Sequence, residues 1–208
     1  MKKRTTTRHK REFSGFVRDN KRLFPFWGLF LLGAAGGILL YRMTGVKGDG
    51  IWERLLPVQG LSGGLRAGLQ ALGGTCFSCL AALAALFLLG LWSFGTPFIP
   101  LIPVCHGMWL GLTEAYYYAH GAQYIPAVAL IVLPHGLCTA AVLITACAVG
   151  FRMSSRLGRQ LLPQASCGGL WSDFRLYCLR FAVLAGAGVI CGLLDVLARL
   201  LFGRFLTV

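Results

Sequence analysis

Apolar runs long enough to cross a bilayer recur five times in this 208-residue chain, starting near Pro25, Gly68, Phe98, Tyr124 and Leu176. A hydrocarbon core of about 30 Å needs roughly 20 apolar residues of helix per crossing. The composition agrees: 56% of residues are hydrophobic and 13% charged, more apolar surface than a soluble domain can hide from water. The chain is therefore expected to be all-α, a polytopic membrane helical bundle of five transmembrane helices. Residues 1–24 read as a basic cytoplasmic tail and 25–208 as a single helical membrane domain. What the spans leave over is too little for a separate soluble domain of ordinary size.

Charge orients this bundle. Of 20 Lys and Arg residues, nine precede Leu23: Lys2, Lys3, Arg4, Arg8, Lys10, Arg11, Arg18, Lys21 and Arg22. Basic flanks stay on the cytoplasmic side and meet anionic headgroups, which makes membrane lipids the natural partner. The tail lacks the aromatic interleaving of a single-strand binding platform, so no nucleic-acid partner is expected despite a net charge of +13. Pro25 to Tyr41 is long for a signal-peptide core, and Arg42-Met43-Thr44 is a poor cleavage site, so the first helix should be retained. A second basic stretch, with Arg152, Arg156, Arg159 and Arg175, falls on the same side if there are five crossings. The protein is thus expected to be a multi-pass cell-membrane protein with a cytoplasmic N-terminus and the C-terminus outside.

Along the spans, small residues mark close-packing faces. Gly33 and Gly37 have GxxxG spacing in the first span, and a second helix of the same chain is the expected partner. Gly107 and Gly111 repeat the spacing in the third span, and Gly188 and Gly192 in the last. The first loop carries Ile51-Trp52-Glu53-Arg54-Leu55-Leu56, which reads as a short interfacial helix. Gly95-Thr96-Pro97 reads as a sharp turn, and Tyr116, Tyr117 and Tyr118 as an interfacial girdle. The fourth span is overlong and holds Pro134, which removes one backbone hydrogen bond. A break at Pro134 would divide it into half-helices and raise the count to six. Seven of the eight cysteines fall within spans, where a free thiol packs as a small hydrophobe, and no disulfide framework is implied.

Ionisable residues inside a bilayer are costly, so each is a functional candidate. His106 and His135 on neighbouring helices are residue types able to bind a metal or relay protons. No carboxylate or thiolate lies at a recognised metal spacing, so the favoured role is packing, with each imidazole bonded to a nearby carbonyl. Glu114 lies near the outer interface, and Asp195 and Arg199 share a helical face, where pairing or snorkelling is expected. Gly-x-Ser-x-Gly, Walker-type Gly-Lys-Ser/Thr and His-Glu-x-x-His patterns do not occur. The expectation is a non-enzyme without cofactor, metal or catalytic residues. The alternative is a small membrane transport or channel subunit with His106, His135 and Glu114 along its path, although the spans contain few Ser, Thr, Asn or Gln residues.

Two stretches together resemble the stage II sporulation protein M family. The first runs from Leu89-Gly90-Leu91-Trp92-Ser93-Phe94-Gly95-Thr96-Pro97-Phe98-Ile99-Pro100 into Cys105-His106-Gly107-Met108-Trp109-Leu110-Gly111-Leu112. The second, after a short loop ending in Gly121, is Val132-Leu133-Pro134-His135-Gly136. His106 stands where the family usually has Lys, and the second Pro often found after Pro134 is absent. The resemblance implies a membrane protein of endospore formation that anchors peptidoglycan hydrolases during engulfment. It also implies stage II sporulation proteins D and P as partners. On this reading the chain is a non-catalytic scaffold, and His106, Gly107, Gly111, Glu114, Pro134, His135 and Gly136 are its structural or interaction residues.

Overall fold

The computed structural model describes residues 23–44, 65–119, 121, 125–160 and 170–206. The basic tail up to Arg22, the Trp52 segment, His120 and Tyr124 lie outside the described residues, as do the side chains of Arg159 and Arg199. Five helices make up the bundle: α1 (Phe24–Thr44), α2 (Leu65–Leu91), α3 (Leu101–Ala119), α4 (Leu133–Gln160) and α5 (Leu170–Leu206). Among the described residues there is no strand.

Length and composition qualify three stretches as membrane-crossing: Phe24–Thr44, Val128–Gly158 and Trp171–Ala198. The apolar part of α2, Cys76–Leu91, is shorter, and α3 has 19 residues interrupted by His106 and Glu114. At 1.5 Å per residue α3 still covers about 28 Å, close to the thickness of a hydrocarbon core.

Helix direction supplies the rest of the topology. Phe30 and Gly33 of α1 lie against Gly107 and Val104 of α3, and Ala34 and Gly37 lie against Gly111 and Met108. Four residues further along one helix means four further along the other, so α1 and α3 run parallel. α2 and α4 also run parallel, because Leu86 meets Gly150, and Trp92 and Ser93 just past the end of α2 meet Ser154 and Gly158. Two parallel helices in one chain need a return crossing between them. The parallel α1–α3 and α2–α4 pairs therefore require an up-and-down path.

The sixth span does not form. An Ile125–Ala127 turn and a π-helical segment, Val128–Val132, run without interruption into α4. Proline lacks the amide that would bond four residues back, and its ring crowds that carbonyl. A wider π turn just before Pro134 relieves the crowding, so the helix adjusts its pitch instead of stopping.

Near the connector predicted after Phe151, the helices also extend further than expected. Arg152 and Arg156 belong to α4 and Arg175 to α5, and Arg156 Nη1 donates to Asp173 Oδ2 at 2.6 Å across the gap. Phe26 of α1 touches Phe151 edge-on, with ring centroids 6.1 Å apart. The start of α1, the turn before α3 and the α4–α5 junction thus gather at one end of the bundle.

That turn, residues 92–100, is held by side chains. Ser154 is fully buried and its Oγ donates to the Trp92 carbonyl at 2.8 Å, with Thr96 Oγ1 2.9 Å away. Ile99 is also fully buried, and the Cys147 thiol lies 3.8 Å from its carbonyl. Gly95 is required by crowding, because a Cβ there would strike the Leu89 carbonyl.

The core of the bundle joins α2, α4 and α5. The Tyr177 hydroxyl donates to the Phe87 carbonyl at 2.9 Å, and its ring stacks on Phe87 at 5.1 Å. Gly188 admits Cys79 and Leu83 of α2. The seven described cysteines are free thiols.

At the other end, Tyr116 and Tyr117 depart from the expected girdle. They are only 5% and 4% exposed and pack with Leu112 and Val128, while Tyr118 alone faces outward. Tyr116 meets Tyr41 of α1 edge-on at 6.3 Å.

Candidate functional site

The residues singled out in the sequence converge on α3 and the start of α4. Gly107 and Gly111 face α1, where a Cβ on either would run into the carbonyl of Phe30 or Ala34. Gly33 and Gly37 answer from α1 against the carbonyls of Val104 and Met108. Two GxxxG faces are thereby interlocked backbone to backbone. Such approach allows dispersion contact and Cα–H···O interactions that bulky side chains would prevent. These faces are consumed inside the chain, so they do not serve as docking surfaces for another protein.

His106 lies beside this seam and stacks on Phe30, with ring centroids 6.1 Å apart and planes 30° apart. On its other side it approaches the backbone of Gly136, with His135 nearby. Gly136 is buried against Leu110, whose methyl would sit 2.6 Å from an added Cβ. Pro134 faces outward, and Glu114 is half-buried two turns beyond His106. The structure thus brings His106, His135 and Gly136 together, with Gly107 and Gly111 adjoining. Glu114 lies further along α3.

A groove of about 410 Å³ opens beside His106, between α2, α3 and α4. Its walls are Ser78, Ala82, Leu101, Ile102, Cys105, His106, Trp109 and Leu143, mostly apolar. His135 is not among them. No three His, Cys, Asp or Glu side chains among the described residues group closely enough to hold a metal ion.

Asp195 was expected to snorkel or pair near a boundary. It does not snorkel, because it is 2% exposed and enclosed by the bundle. The sequence reading also passed over Ser154 and Tyr177. Each sits in an apolar stretch where a lone hydroxyl is unremarkable, and only the tertiary contacts give it a role.

A family model for stage II sporulation protein M matches residues 26–198. The chain belongs to that family. The match begins just past the basic tail and reaches into all five helices, well beyond the Leu89–Gly150 stretch that carries the sequence resemblance. No curated protein and no solved structure matches the chain. Membership makes it a sporulation-related membrane protein, and the apolar helices fit a multi-pass location. Within this stage II sporulation protein M homologue, the motif glycines Gly90, Gly95, Gly107, Gly111 and Gly136 all occupy places where a Cβ would collide with a neighbour. The stretch that carries the family resemblance is thus largely a set of packing contacts.

Proposed function

We propose that this chain is a non-catalytic integral membrane scaffold that anchors peptidoglycan hydrolases during endospore engulfment. Stage II sporulation proteins D and P are its expected partners, and its N-terminus is cytoplasmic. The observation that carries the reading is the family match over residues 26–198. The geometry supports it. The α1–α3 glycine seam and the buried α2–α4–α5 core make a tightly joined bundle, suited to holding partners in a fixed place. The groove beside His106 is apolar and does not reach His135, which weighs against a polar conduit through the bundle.

The test is an affinity pull-down of the tagged protein from detergent-solubilised sporulating cells, with partners identified by mass spectrometry. Recovery of the two wall-hydrolase partners supports the scaffold. Recovery of a transporter ATPase or a solute-binding protein in their place would overturn it in favour of transport.

A further inference from the structure

Where α4 gives way to α5, the charges do not cancel. Arg156 pairs with Asp173. Arg152 and Arg180 have no ion pair among the described residues, and Arg152 is half-buried while Arg180 is exposed.

Helix register brings those two arginines to one cleft. Tyr177 meets Phe87 and Gly188 meets Cys79, so α5 runs antiparallel to α2 and hence to α4. The Arg156–Asp173 contact then fixes which residues lie level. Cys138 lies close to Cys191, eighteen residues before Arg156 and eighteen after Asp173, so the register holds further along. Away from the ion pair, Arg152 is about 6 Å along α4 and Arg180 about 10 Å along α5, at 1.5 Å per residue. Their heights differ by about one helical turn or less.

Their directions agree as well. At 3.6 residues per turn, Arg152 is rotated about 40° from Arg156, and Arg180 about 20° from Asp173. On antiparallel helices both rotations lead to the same flank of the contact. That flank points away from α2, which Gly150, Tyr177 and Gly188 face. Packed helices lie about 8–10 Å apart, a gap that two long guanidinium side chains close from either side.

This cleft sits at the edge of the apolar layer. The apolar α1 helix starts at Phe24, and its Phe26 touches Phe151, the neighbour of Arg152. Arg180 is further in, level with Val149. A cation at that depth is costly unless it reaches back to the headgroups or meets an anion. Guanidinium groups form paired, charge-assisted hydrogen bonds with phosphate oxygens. Deeper on the same flank, Ala141, Ala148 and Ala187 have short side chains that leave a furrow between the helices.

We propose that Arg152 and Arg180 bind the phosphate of an anionic glycerophospholipid, with an acyl chain along the alanine furrow. The lipid belongs to the leaflet in which this end of the bundle lies. A zwitterionic headgroup would bring an ammonium that the two arginines repel, whereas phosphatidylglycerol brings only the phosphate charge. The inference depends on neither the scaffold reading nor the orientation of the chain.

The test is native mass spectrometry of the full-length protein in detergent, titrated with phosphatidylglycerol or phosphatidylcholine. The wild type should bind phosphatidylglycerol several-fold more tightly. The double variant Arg152→Gln, Arg180→Gln should lose that preference, and Arg175→Gln should keep it. Arg175 is the control because it is exposed on α5 yet about 140° round the helix from Arg180. No preference in the wild type overturns the site, as does an unchanged preference in the double variant. An equal loss in Arg175→Gln also overturns it, since that marks diffuse attraction to a basic surface. Displacement of the lipid by millimolar glycerol phosphate would show a site for soluble phosphates and overturn the lipid assignment. Should the double variant not accumulate, solid-state NMR of the wild type in phosphatidylglycerol vesicles decides. Nitrogen–phosphorus dipolar coupling at the Arg152 and Arg180 guanidinium groups supports the site, and its absence overturns it.

Discussion

Gly107 of α3 meets the Phe30 carbonyl of α1 with no room between them for a methyl group. Gly107→Val should therefore force the two helices apart. Overpacking of this kind costs about 1–3 kcal/mol where side chains can yield, and here the obstacle is backbone. The expected outcome is a large fall in membrane abundance and in thermal stability in detergent. Gly36→Val is the control. Gly36 lies on the partner helix α1 with nothing within 4 Å of an added Cβ, and its substitution should change neither quantity appreciably.

Tyr177 separates hydrogen bonding from packing. Tyr177→Phe keeps the stack on Phe87 and loses only the bond to its carbonyl. Hydrogen bonds between membrane helices average about 0.6 kcal/mol, so the loss should be small. Tyr177→Ala removes the ring as well and should cost about 3–5 kcal/mol, as for other buried aromatics. Denaturant titration of both variants in mixed micelles checks the ratio.

Ser154 and Thr96 should be energetically coupled, because their hydroxyls lie 2.9 Å apart and Ser154 also holds the Trp92 carbonyl. A double-mutant cycle with Ser154→Ala and Thr96→Val should return an interaction of about 0.5–3 kcal/mol. Additive effects would mean that the turn is held by other contacts.

The Arg156–Asp173 pair is expected to matter little. Its side chains are 62% and 43% exposed, and such pairs contribute about 0–1 kcal/mol. Asp173→Asn should leave thermal stability nearly unchanged at both low and high salt.

Much of this architecture was legible in the chain. Apolar run lengths gave the five helices, and the spacing of Gly33, Gly37, Gly107 and Gly111 marked the faces that interlock. Glycine spacing survives in the sequence because a helix repeats its face every three to four residues. Three features were not legible. Periodicity could not show whether Pro134 would break its helix, because the answer depends on a π turn one step upstream. Tyr116 and Tyr117 carry the usual mark of an interface, yet α1 and the π segment cover them. Asp195 looked peripheral by its position along the span, and only the packing of α5 shows that it is enclosed. In the candidate site, His106 and His135 stood out by chemistry, whereas Ser154 and Tyr177, elsewhere in the bundle, became notable only through their tertiary bonds.

The parallel α1–α3 seam also bears on how the protein is made. A chain is synthesised from its N-terminus, and its segments become available in that order. When α1 enters the membrane, the face bearing Gly33 and Gly37 has no counterpart. Its match on α3 arrives only after the first loop, α2 and the turn at Gly95 have been synthesised. The first helix must therefore wait through the synthesis of the second with a backbone-exposing groove open to lipid. During that interval, binding to the wrong helix competes with folding.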